Sequence, residues 1–375
     1  MKARFIMRYA GHGALNHLTV LDDADHVIRH IVVDAGTNAT HFPDVAEGEF
    51  EEVAGSICAS ATRNSVDICL THADEDHYSY IYRLVEYIKE HAQDHIDAID
   101  HLYLTLLADE TGFANDPARE VDRIVPGLGA LTNDFMRENR EDRFRVLGER
   151  EVDTTLWQDP SRCATFKLAY TNLCSSRGDK NGNSSMFTLK LGSTVVLMPG
   201  DSTGETFRNL LDDQDVRDGI ADTVSDAAKI ILVLPHHGSV HSLEADGFLA
   251  GDDPDNHAIN ASRLHQAITL LVPNANAQLY VSADHHDTNG HPHEWTLDQF
   301  STVATDSTEP MPIGFYRTNG GVYEELVNFH GVGEFVVGAQ EKCLWSTVNV
   351  SNPEEPFAQF VYDEFEDWEG AASWR

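Results

Sequence analysis

The chain has 375 residues, 41% of them hydrophobic and 23% charged, which is enough apolar material for a sizeable core and excludes disorder as the main state. Acidic residues outnumber basic ones 62 to 26 and the formal charge is −36, so the chain lacks the basic surface that general nucleic-acid binding needs and an extended duplex is a disfavoured partner. No apolar run approaches the ~20 residues of a membrane span, and no charged start with an apolar stretch behind it opens the chain. A cytoplasmic protein without a membrane partner is expected, its acidity serving solubility, as in a salt-rich cytoplasm.

In chain order, short apolar runs read as buried strands at Phe5–Met7, His30–Val33, Val66–Leu70, Leu102–Leu107, Phe187–Leu191, Thr194–Met198, Lys229–Leu234 and Gln278–Val281. Between them lie helical patterns. Ile81, Leu84, Val85 and Ile88 fall on one helix face behind His77, Glu205–Ala228 is polar and partly helical, and Leu264–Leu271 is a further helix. Strands mixed with helices along the whole chain predict a layered α/β fold in one domain, 1–375. Within it, 109–159 reads as a charged helical insertion on the rim and 243–261 as an irregular one, with an acidic extension from about 354. The five cysteines, Cys58, Cys69, Cys163, Cys174 and Cys343, form no Cys-x-x-Cys pair, and reduced thiols are expected rather than a thiolate zinc site.

The residues that follow the apolar runs carry the chemistry. Val66–Leu70 is followed by Thr71-His72-Ala73-Asp74-Glu75-Asp76-His77, which places four candidate metal ligands within six residues. Thr194–Met198 leads into Pro199-Gly200-Asp201, and Lys229–Leu234 into Pro235-His236-His237-Gly238-Ser239. Gln278–Val281 leads to Asp284-His285-His286 and then Gly290-His291-Pro292-His293, and His30–Val33 ends in Asp34-Ala35-Gly36. Layered α/β folds place their sites beyond strand ends. Imidazole with carboxylate suits zinc, manganese or iron. A lone Pro-Gly-Asp is ordinarily a turn, and a lone His-His pair serves as well in a core; it is their recurrence at successive strand ends that points to a metal site.

These motifs together resemble the metallo-β-lactamase fold superfamily. Its usual His-x-His-x-Asp-His signature stands here as His72-x-Asp74-x-Asp76-His77, a variant similar to the soluble hydrolase domain of the bacterial competence protein ComEC. Asn183-Ser184-Ser185, Gly200-Asp201, His236-His237-Gly238-Ser239 and Gly290-His291-Pro292-His293 follow in that group's order, and the likeness covers about residues 5 to 305. The resemblance implies an αββα sandwich. It implies His72 and Asp74 on a first metal, Asp76 and His77 on a second, Asp201 bridging, and His237 closing the second site in preference to His236. Two divalent ions, Zn²⁺ or Mn²⁺, are the implied cofactors. Asp76, His291 and His293 are the implied catalytic residues, the two histidines positioning a phosphate or protonating the leaving oxygen.

Three departures stand out. No histidine lies between His101 and His236, where the superfamily keeps its third motif, and Asn183 or a water is left to stand in. Gly11-His12-Gly13-Ala14 lacks an expected Asp, and Tyr78-Ser79-Tyr80 replaces expected glycines. The function expected is a stand-alone metal-dependent phosphodiesterase or nuclease in which a metal-activated water attacks phosphorus. Its substrate would be a nucleotide or single-stranded nucleic acid, with Arg177 and Lys180 as nearby cations. A hydrolase of a small ester, lactone or amide is the alternative, and a partner-binding scaffold that kept the fold is a third.

Overall fold

The computed structural model describes residues 1–8, 10, 13–38, 43–106, 116–137, 143–147, 150–173, 180–239, 254–273, 276–281, 296, 313–317, 323–328, 334–337 and 344–348. The first half contains β1 (Lys2–Met7), β2 (Leu15–Leu21), β3 (Val27–Ala35), α1 (Pro43–Ser60), β4 (Val66–Leu70), α2 (Glu75–Tyr78), α3 (Ile81–His91), β5 (Ile99–Leu104), α4 (Pro117–Ile124), α5 (Leu128–Arg137) and β6 (Phe144–Val146). The second half contains β7 (Val152–Gln158), β8 (Ala164–Tyr170), β9 (Met186–Leu191), β10 (Thr194–Met198), α6 (Gly204–Asp212), α7 (Gln214–Val224), β11 (Lys229–Val233), α8 (Pro254–Leu271), β12 (Asn276–Val281), β13 (Ile313–Arg317), β14 (Tyr323–Asn328), β15 (Glu334–Val337) and β16 (Leu344–Val348).

The strands form two eight-stranded sheets, in the orders β15-β14-β1-β2-β3-β4-β5-β6 and β16-β13-β12-β11-β10-β9-β8-β7. Side-chain alternation decides what each face meets. In β4, Val66, Ile68 and Leu70 join Phe50, Val53 and Ile57 of α1 and Leu84, Val85 and Ile88 of α3. Cys69, one residue out of phase, joins Phe166, Phe187 and Met198 of the facing sheet. In β10 and β11, Val195, Leu197, Ile230 and Leu232 pack on α6, α7 and α8 through Phe207, Leu210, Ile220 and Leu264. Val196, Met198 and Ile231 point between the sheets. The result is helix, sheet, sheet, helix: a layered α/β fold in αββα order, as expected. None of the helices among the described residues is long and apolar enough to cross a membrane.

Two pairings position the site. β3 runs parallel to β4, and β10 parallel to β11, which is itself parallel to β12. The carboxyl ends of neighbouring strands therefore emerge together on each sheet. At the other end of β4 the inter-sheet space holds charge rather than apolar side chains. Arg29 of β3 donates from Nε to Asp67 (2.5 Å) and from Nη2 to Asp67 (2.7 Å) and Asp100 (2.6 Å), and its guanidinium stacks 5.2 Å from the Trp157 ring centre.

Several sequence expectations need correction. The helical insertion expected over 109–159 holds for α4 and α5, but these are not on a rim: Val121, Leu128, Leu131 and Phe135 pack in the same cluster as β4 and α1. The same range ends in two strands, β6 and β7, which are the sheet edges opposite β15 and β16. Their half-exposed patterns hide them from an apolar-run reading. β2 escaped the same reading because Asn16, His17 and Thr19 interrupt it, although all three are buried. The irregular insertion expected over 243–261 fails from Pro254 onward, where α8 begins; 243–253 lie outside the described residues. So does the extension from about 354. Cys58, Cys69 and Cys163 are free thiols, and Cys174 and Cys343 lie outside the described residues.

Candidate metal centre

The site is built on the turn at Asp34-Ala35-Gly36, which the sequence places behind an apolar strand. Asp34, one residue before the end of β3, is left-handed at φ 60°, a conformation Asp tolerates better than most residues. The turn aims its carboxylate at the end of β4. Thr71 donates to it twice, from N to Oδ1 (2.7 Å) and from Oγ1 to Oδ2 (2.8 Å). His77 Nδ1 donates to the same Oδ2 at 2.9 Å. With that nitrogen engaged, Nε2 of His77 is the atom left to face the site.

Gly36 makes the approach of these loops feasible. A Cβ placed there would lie 2.4 Å from the Asp76 carbonyl carbon, and Ala14 N donates to Asp76 O at 3.0 Å from the other side. The peptide that carries Asp76 and His77 is thus held by backbone on two sides.

The second sheet delivers Asp201, His236 and His237. Asp201 N donates to Ser184 Oγ (3.2 Å), and Ser185 N donates across the sheets to Thr71 O (2.9 Å). The Asn-Ser-Ser element is therefore a latch between the two halves of the site. From the same turn, Asn181 Nδ2 lies 3.4 Å from His236 Nε2 and Lys180 Nζ donates to Asp74 Oδ1 (2.8 Å) and Ala73 O (3.0 Å).

Asp201 lies at the centre, 4% exposed. Its Oδ1 is 3.1 Å from His77 Nε2 and 3.7 Å from His237 Nε2. Its Oδ2 is 3.8 Å from His72 Nε2 and 3.7 Å from His236 Nε2. Asp74 Oδ2 stands 3.6 Å from His72 Nε2, and Asp76 Oδ2 stands 3.7 Å from His237 Nε2. Of three ligand groups among the described residues whose donor atoms lie within 4.8 Å of one another, two are here, His72, His77 and Asp201, and Asp76, His77 and His237; the third, Asp67, Asp100 and His101, lies at the other end of β4. His77 belongs to both, whereas the resemblance had divided the two sites between His72 and His77.

The electrostatics follow from burial opposed by charge. Burial resists ionisation of Asp201, but His77, His237, His236 and His72 outweigh it and hold its carboxyl well below the usual range. Burial likewise resists protonation of His77, but Asp201 and Asp34 outweigh it and push its pKa well above the ordinary imidazole value. His237 is raised in the same way, burial being outweighed by Asp201 and Asp76. His236 is lowered, because there burial prevails over Asp201. The His72 imidazole, 3.6 Å away, and then the Lys180 ammonium hold the Asp74 carboxyl far below its ordinary value.

A divalent cation fits this donor set. His72 Nε2 is buried without a hydrogen-bond partner and points at the carboxylates. The upward shifts of His77 and His237 reflect buried carboxylate charge that a cation would also answer. The structure thus brings together His72, Asp74, Asp76, His77, Asp201, His236 and His237. His291 and His293, expected as catalytic, lie outside the described residues, as do Arg177, His285 and His286. Asp34, Thr71, Ser184 and Ser185 support the site without being ligands; of these only Asp34 and the Asn-Ser element had a sequence signal.

No family model matches the sequence, and no curated protein matches it. Among solved structures the chain is similar to the metallo-β-lactamase fold protein YhfI from Bacillus subtilis, at 12% identity over 86% of this chain and 99% of that one, with a TM-score of 0.41. It is similar to a long form RNase Z from yeast at 12% identity over 75% of this chain and 37% of that one, with a TM-score of 0.36. It is also similar to a diphosphatase from the PhnP family, at 11% identity over 90% of this chain and 99% of that one, again with a TM-score of 0.36. These likenesses concern the layering of sheets and helices; the chemistry rests on the site.

Proposed function

We propose that this chain is a metal-dependent hydrolase that cleaves phosphodiester bonds in a nucleotide or single-stranded nucleic acid. It would be a counterpart of the ComEC-type hydrolase domain. The observation that carries the reading is the buried Asp201, whose two carboxylate oxygens face different histidine pairs. Two divalent ions, Zn²⁺ or Mn²⁺, held by His72, Asp74, Asp76, His77, Asp201, His237 and His236 would supply Lewis acidity toward phosphoryl oxygens and an activated water. Asp34 fixes the face that His77 presents. Asp76, 3.7 Å from His237, would take the proton of the attacking water. His291 and His293 are assigned the leaving-group proton. Lys180 holds Asp74 and brings one positive charge to the rim.

The charge of −36 favours a second reading, hydrolysis of a neutral ester, lactone or amide, because an acidic approach path does not repel such a substrate. The absence of a histidine between His101 and His236 motivates a third, a scaffold without turnover. One experiment separates them: metal content of the purified protein, with hydrolysis of bis(p-nitrophenyl) phosphate and p-nitrophenyl acetate in added Mn²⁺ or Zn²⁺. Bound metal with metal-dependent phosphodiester cleavage is expected. Cleavage of the acetate alone supports the second reading, and no metal with no cleavage supports the third.

A further inference from the structure

We infer that His236 and His237, adjacent in sequence, ligate different ions: His237 joins His77 on one side of Asp201, and His236 joins His72 on the other. This rests on the metal reading above and gives the His72 side a second histidine.

The geometry is explicit. His72 and His236 each bring Nε2 to Asp201 Oδ2, at 3.8 and 3.7 Å, whereas His77 and His237 bring theirs to Oδ1, at 3.1 and 3.7 Å. Adjacent residues on regular backbone rarely present both side chains to one small centre. Here the backbone is not regular. His236 and His237 are both left-handed, at φ 48° and 53°, and Gly238 continues at φ 74°. A left-handed non-glycine residue is strained, so two in a row need a compensating gain. The turn sets the two rings 68° apart in plane with centres 6.4 Å apart, which splits them over the two carboxylate oxygens. His236 N donates to Gly200 O (3.1 Å), tying the turn directly to the loop that carries Asp201.

The His72 side is also where a donor is wanted. His72 is 1% exposed, and its Nε2 has no hydrogen-bond partner. The nearest carboxylate oxygens are Asp74 Oδ2 at 3.6 Å, on a group whose other oxygen Lys180 holds, and Asp201 Oδ2 at 3.8 Å, which His236 Nε2 approaches to 3.7 Å. Asn183, considered in place of a third-motif histidine, is buried in the latch below. His236 fills the need from the opposite direction in the sequence.

The test is metal stoichiometry, by elemental analysis and by equilibrium titration of the ion-free protein with Zn²⁺. Wild type, His236→Gly, His237→Ala, the His72→Ala/His236→Gly pair and the His236→Gly/His237→Ala pair are compared. Glycine at 236 removes the ligand while suiting the left-handed backbone, so this variant keeps the fold. The expected result is two ions in wild type, one in His236→Gly, still one when His72→Ala is added, and none when His237→Ala is added. Two ions in His236→Gly, bound as in wild type, would overturn the assignment and leave the metal reading standing. A wild-type chain that takes up no ion overturns the metal reading itself, and the assignment with it.

Discussion

Asp34 Oδ2 and His77 Nδ1 lie 2.9 Å apart, and this one hydrogen bond decides which nitrogen of His77 faces Asp201. The same carboxylate anchors the Thr71 amide and hydroxyl, so it fixes both the ring and the turn that precedes His72. Asp34→Ala is expected to lower Zn²⁺ affinity by roughly 10–100-fold, the usual cost of an outer partner of a ligating histidine. It should also destabilise the ion-free protein by about 1–3 kcal/mol, because buried donors lose their acceptor. Asp34→Asn suits the left-handed backbone and should lose less stability. Competition titration against a zinc indicator and urea unfolding measure the two effects; unchanged affinity in Asp34→Ala would show that His77 is not held this way.

Asp201 faces all four histidines, so its removal should be felt on both sides of the site. Asp201→Ala is expected to lower ion affinity by more than the ~100-fold of an outer-partner loss, with hydrolysis falling in parallel. Removing a lone carboxylate from among imidazoles should also bring the His77 pKa down, since Asp201 is the strongest influence raising it. Histidine NMR titration of the ion-free variant checks this independently of any activity.

Gly36 and Gly48 form a matched contrast. A Cβ at Gly36 would come 2.4 Å from the Asp76 carbonyl carbon, whereas one at Gly48, on helix α1, would meet nothing within 4 Å. Gly36→Ala should cost about 2–4 kcal/mol and displace the Asp76–His77 peptide. Gly48→Ala should gain about 0.5–1 kcal/mol through helix propensity. Thermal unfolding of both variants reads the difference, and a neutral Gly36→Ala would show that the loops approach less closely.

His101 offers a pH test away from the metal centre. Its Nδ1 lies 3.4 Å from Asp100 and 3.3 Å from Asp67, and these hydrogen bonds raise its pKa to about 9. A group raised on folding stabilises the fold below its unfolded value, near 6.5, and that contribution is lost as pH rises through about 9. After allowance for solvent screening at a partly exposed side chain, the loss is on the order of 1 kcal/mol. Urea unfolding between pH 6 and pH 10 should show this decline in wild type and a flatter profile in His101→Gln. Equal slopes would assign the decline to other groups.

What the sequence made legible was the set of strand ends. β4, β10 and β11 are apolar runs with a polar cluster immediately behind them, and parallel pairing forces neighbouring ends to one edge. α3 was legible because Ile81, Leu84, Val85 and Ile88 repeat at helical spacing, and all four are buried. β2 was not, because His17 and His30 are core side chains joined to each other (3.0 Å) and to Ser60 (3.0 Å), and polar letters conceal such burial. The side of the site on which each ligand stands was also hidden. It depends on left-handed turns at Asp34 and at His236–His237, which no periodicity announces. The sequence offers Lys180 as a cation for substrate, and its contact with Asp74 depends on the turn before β9 reaching the loop ahead of α2.

The chain brings His77 and His237 to within 3.4 Å from positions 160 residues apart, one behind a strand of each sheet. An ion held between them would act as a clasp on the whole sandwich as well as a reagent. It would bind the folded chain alone, so ion supply would set its stability: about 2.7 kcal/mol added at a hundredfold excess over Kd. Starvation for metal would then remove the protein and not merely idle it, and a chelator in the buffer would be expected to lower the unfolding temperature before any substrate is added.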